Sequence, residues 1–163
     1  MRGPGVIQYS AVIETDGGRF TVGVFQNAAW AAKGLDALKN AGFPTASMSI
    51  LVKDSPDAGP LIERLFGVTA NRLDLPILGV VLVHGPLLEA IQGAAVDLPK
   101  VGLAAAMKRV GFQAHDGRIF EALAGRGGVL IAIKTEPRAA DALAILHSYG
   151  GGNAAIGAWS GRV

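Results

Sequence analysis

The chain has no cysteine, so any chemistry falls to histidine, carboxylates, hydroxyls or backbone groups. Three histidines are present, His84, His115 and His147, and no two stand at a metal-ligand spacing. His84 is the most informative of them because it interrupts the apolar run from Leu75 to Val96. A buried imidazole needs a partner for its N–H. Glu89 comes within reach if Gly85-Pro86 turns the chain back on itself. His84 and Glu89 are therefore the candidate ligand-binding pair, against the plainer reading of a satisfied core or interface histidine. His115 precedes Asp116, a candidate helix cap, and is expected in a loop. His147 falls on the exposed face of a helix. No Ser-His-Asp or lysine-based arrangement can be assigned, so no catalytic residue is named and no metal or cofactor is implied. The glycine clusters Gly125-Arg-Gly-Gly128 and Gly150–Gly152 have the wrong polarity for phosphate loops. Phosphate loops run from a strand into a helix N-terminus, whereas these lead out of helices and read as stops and turns.

Charge narrows the partners. Only 17% of the 163 residues are charged and mean hydropathy is +0.38, against about 25% charged in an average soluble domain. The net charge is +2 and the basic residues are scattered, with Lys108-Arg109 the one tight pair. That is no nucleic-acid footprint, and the pair reads as a charged helix face. The opening MRGPGVIQYS lacks the apolar stretch of a signal peptide, which makes the cytoplasm the expected location. The run Leu75–Val96 is broken by His84, Gly85-Pro86 and Glu89 and closed by Asp97. A spanning helix wants about 20 predominantly apolar residues. The run is expected instead to be a buried or interfacial helix pair broken at Gly85-Pro86. A chain with so little charge hides surface in an oligomer or against a membrane.

The elements that would position these residues come from an internal repeat. One offset of 108 residues pairs Ala31 with Ala139, Leu35 with Leu143, Leu38 with Leu146 and Gly42 with Gly150. Asn27 and Thr135 match as N-caps, and the two glycines fall where a helix stops. Ala28, Ala31, Ala32, Leu35 and Leu38 mark one helix face. Strands flank both helices: Phe20–Phe25 and Val129–Ile133 before them, alternating segments at 46–52 and 154–158 after them. The alternation of Met48, Ile50 and Val52 predicts a half-exposed or edge strand.

Each copy is thus strand–helix–strand, and two copies describe an α+β, ferredoxin-like fold with an antiparallel sheet. The expected plan is one domain over 1–163. Repeat 1 occupies 19–53 (its core about 20–53), a helical insert of about 75 residues covers 54–127, and repeat 2 covers 128–160. Val6–Glu14 adds an alternating N-terminal strand turned by Asp16-Gly17-Gly18. That hairpin competes for a side of the first repeat strand that the ferredoxin-like order already uses.

The run VGVFQNAAWAAKGLDALKNAGFPTASMSILVKD resembles the opening of the bacterial general-stress or heat-induced stress-protein family (YflT-like). There a V-x-V-F strand leads to a helix ending in L-x-x-x-G-F and then a strand. IFEALAGRGGVLIAIKTEPRAADALAILHSYGG is similar to that family's second half. The resemblance spans roughly 20–158 and its motifs are structural. It implies a stress-response protein without an assigned biochemical activity and brings no catalytic residues.

The functional expectation is a non-enzymatic, self-associating protein, assembled as a homo-oligomer through the open sheet face and the apolar insert, with peripheral membrane contact through 75–96. Candidate interface residues are Ile7, Tyr9, Ile13, Leu78, Val81, Leu87 and Leu88. The alternative is a small-molecule binding module with a pocket near His84. An enzyme on a dimeric α+β scaffold would need a positioned histidine or acid, and only His84 qualifies.

Overall fold

Asn27 opens the first helix as its side chain allows: its Oδ1 accepts from the Trp30 amide at 3.0 Å. This helix, α1 (Ala28–Asn40), follows strand β2 (Gly18–Phe25) and leads to strand β3 (Met48–Lys53). The computed structural model describes residues 10–15, 18–92, 96–109, 111–112, 114–134, 141 and 144–145. Strand β1 (Ser10–Thr15) precedes β2. After β3 come α2 (Ala58–Phe66), β4 (Asn71–Leu75), β5 (Gly79–His84) and α3 (Pro86–Gln92). Then follow α4 (Leu98–Val101), α5 (Leu103–Arg109), α6 (Ala114–Gly125) and β6 (Val129–Lys134).

The fold is α+β, with one six-stranded sheet in the order β1-β2-β6-β3-β5-β4, every neighbouring pair antiparallel. β6 sits between β2 and β3, pairing Phe20 with Lys134 on one side and Met48 with Ile133 on the other. β1 takes the outer side of β2, with Thr15 opposite Gly18. The competition posed by the N-terminal hairpin is thus decided in favour of β1. Asp141, Ala144 and Ile145, in the segment expected to form the second repeat helix, have helical backbone. The expected strand at 154–158 lies outside the described residues.

Alternation along the strands sends side chains into two separate cores. Val22, Val24, Leu51, Val81, Val83, Leu130 and Ala132 face the first, which α3, α4, α5 and α6 cover. Phe25, Met48, Ile50, Val52, Leu82, Ile131 and Ile133 face the second, which α1 and α2 cover with Ile145 packed beside them. Each buried Leu, Ile or Phe contributes about 1.5–3 kcal/mol relative to exposure. Gly34 lets α1 lie close on the sheet: a Cβ there would stand 2.4 Å from Phe25 Cζ.

Four expectations need correction. The segment 54–127 is not wholly helical, because β4 and β5 add two strands to the sheet. In the run 75–96, the part before Gly85 is strand and the part after it is helix α3, not a helix pair. A short apolar run cannot be assigned to helix or strand by periodicity, and the β-branched Val80, Val81 and Val83 tip it to strand. β3 is not an edge: Met48 to Val52 are all buried, because β5 pairs outside it and α3 lies across it. Its polar alternate residue, Ser49, is fully buried and its Oγ accepts from the Leu87 amide at 2.8 Å. Ala46 and Ser47, expected at the start of the strand, instead belong to a 3₁₀ turn, Thr45–Ser47.

Candidate functional site

His84 ends β5, half-buried, opposite Ile50 of β3. By alternation its side chain shares the face of Leu82, the α1–α2 face, where the Phe66 ring meets it edge-on at 5.1 Å. Glu89 lies on α3, which covers the other face, and is exposed. The sheet therefore separates the two, and the turn at Gly85-Pro86 does not bring them together. Gly85 has φ +113° and packs so closely on β3 that a Cβ would meet the Met48 carbonyl oxygen at 2.4 Å. That forced conformation sends the chain to the far side of the sheet. His115 is exposed in the first turn of α6 rather than in a loop, and Asp116 lies within that turn. His147 lies outside the described residues. Among the described residues no group of three His, Asp or Glu side chains is gathered that could hold a metal ion.

The candidate assembly residues divide sharply. Leu78, Val81, Leu87 and Leu88 are buried in the chain's own first core. The insert folds back over the sheet face that a second copy was expected to cover, so these four are unavailable as an interface. Ile13 lies on β1, whereas Ile7 and Tyr9 fall outside the described residues.

Sequence reasoning missed Arg109, taken as part of a charged helix face. Its Nη1 pairs with Asp97 Oδ1 at 2.7 Å, and its Nη2 donates to the Ile91 carbonyl at 2.7 Å. It ties the end of α5 to α3 and to the start of α4. The contact joins residues distant along the chain, so no local pattern announces it.

The edges of the sheet are the parts left open. β4 at one edge reads Asn-Arg-Leu-Asp-Leu, with Arg72 paired to Asp54 and Asp74 exposed. β1 at the other reads Ser-Ala-Val-Ile-Glu-Thr, with no lysine, proline or glycine and one charge, Glu14, near its end. It pairs only with β2, so its outward N–H and C=O groups have no ladder partner among the described residues. An edge of that kind is a template for another strand.

No protein-family model matches the chain, nor does any curated protein or solved structure. Among the described residues no helix is long and apolar enough to cross a membrane.

Proposed function

We propose that this chain is a non-enzymatic, self-associating protein of the stress-response type, and that two copies join edge to edge through β1. The observation that carries the reading is the outer edge of Ser10–Thr15, which has no ladder partner among the described residues, beside a charged edge at β4. Antiparallel pairing of β1 with β1 of a second copy would satisfy the outward backbone groups and join two sheets into one. The stress-response part rests on the family resemblance of the V-x-V-F strand and its helix.

Light scattering on the purified chain tests the reading, and a dimer mass at micromolar concentration is expected. Val12 faces Thr21 and Ile13 faces Phe20 across the β1–β2 ladder. Such positions alternate between hydrogen-bonded and outward-facing backbone. Of Val12→Pro and Ile13→Pro, one therefore removes a ladder donor and lowers Tm. The other removes an outward donor and yields a monomer at nearly unchanged Tm. A wild-type monomer, or a dimer that survives both substitutions, overturns the proposal.

A further inference from the structure

The β4–β5 hairpin closes through a strained turn. The Leu78 amide donates to the Pro76 carbonyl at 2.7 Å around Ile77, whose φ is +72°. This is the γ-turn of positive φ, which is rare and strained. A β-branched residue is poorly suited to it. The same Ile77 is 83% exposed to water. Leu75 and Leu78 on either side are buried in the first core, so the turn is anchored at its base and Ile77 projects from it. Two costs, a strained φ and exposure to water, fall on one side chain.

The surroundings extend the patch. Pro76 is exposed and its Cβ and Cγ lie 3.7 Å from where a Cβ on Gly102 would stand. Val101, next to Gly102, is 39% exposed. Lys100 beside it is exposed. The turn at Gly125 reaches the hairpin base, a Cβ there standing 3.6 Å from Leu78 Cδ2, and the following Arg126 is exposed. Acidic side chains on the same elements are Asp74, exposed on β4, Asp97 at the start of α4, paired with Arg109 at 2.7 Å, and Glu121, whose Oε2 accepts from the Ala104 amide at 3.3 Å.

We propose that this tip is a membrane-surface contact, in which Ile77, with Pro76 and Val101, enters the interface of a bilayer containing anionic lipid while Lys100 and Arg126 lie at the headgroups. A projecting tip of three apolar side chains is far below the roughly 1,200–2,000 Å² of a stable protein interface. A bilayer demands no complementary shape, and a small apolar insertion joined to basic residues is the two-part signal that peripheral binding uses. The contact is separate from pairing through β1.

The test is sedimentation of the full chain with phosphatidylcholine vesicles, with and without phosphatidylglycerol. Binding is expected, and stronger with the anionic lipid. Ile77→Gly removes the apolar tip and suits the positive φ, and Ile77→Asn keeps the turn with a polar tip. Each should weaken partition about tenfold or more. Ile77→Gly should leave Tm unchanged or raise it by about 2–4 °C, which a core-packing role for Ile77 would not do. A wild-type chain that stays in the supernatant overturns the proposal. So does equal partition into both vesicles, or partition of either variant equal to wild type. A variant that changes the mass by light scattering and not the partition also overturns it, assigning the tip to a second copy.

Discussion

At one side of the sheet, β4 and β5 are fastened to the body by buried contacts and an exposed ion pair; at the other, β1 is held by a hairpin ladder to β2. Gly85 lets the end of β5 press on the β3 backbone, Ser49 Oγ accepts from the Leu87 amide of α3, and Arg72 reaches Asp54. β1 shows pairing to β2 and a free outer edge among the described residues. The difference is between two edge strands: β4 carries charge along its length, with Arg72 paired to Asp54, and β1 carries one charge near its end. The proposed pairing of β1 with a second copy rests on that difference.

The comparison breaks most readily at Gly85. Gly85→Ala places a Cβ 2.4 Å from the Met48 carbonyl oxygen at a φ of +113°. It should lower stability by about 3 kcal/mol or more, read by denaturant unfolding. A single cooperative transition is expected, because the clash is with central β3. Loss of β4–β5 alone by hydrogen exchange would show that side to be a separable unit and dissolve the contrast. Ser49→Ala leaves the Leu87 amide without its buried acceptor and should cost about 1–3 kcal/mol in the same assay. Arg72→Ala removes an exposed ion pair and should change stability by only about 0–1 kcal/mol. Its sharper readout is association: concentration-dependent growth in mass by light scattering, as the second edge loses its guard. An unchanged mass would mean that charge at β4 is not what ends the sheet there.

Much of this frame was legible in the residues. Asn27, the 3,4-spaced apolar face of α1 and the apolar strands at 20–25 and 129–133 all lie where local pattern places them, because caps and single-face burial are local effects. β5 was not legible as a strand, since Leu78 to Val83 is apolar on both faces whether buried as strand or helix. Ser49 looked solvent-facing because alternation carries no information about a helix arriving from residue 86. The candidate pair His84 and Glu89 failed for a related reason. Closeness in sequence says nothing about which side of a sheet each residue leaves from. The β1 edge was visible as a spare strand, but its being unguarded has meaning only beside β4.

The place of β6 between β2 and β3 bears on how the chain survives its own synthesis. Both flanking strands are complete once Lys53 has been made, and the strand that joins them begins at Val129. At about 5–20 residues per second, a ribosome needs about 4–15 s to reach it. Throughout that interval the nascent chain carries two apolar strands whose shared partner does not yet exist. Chains that stall before residue 134 should be the ones that aggregate or engage chaperones, however stable the finished protein is.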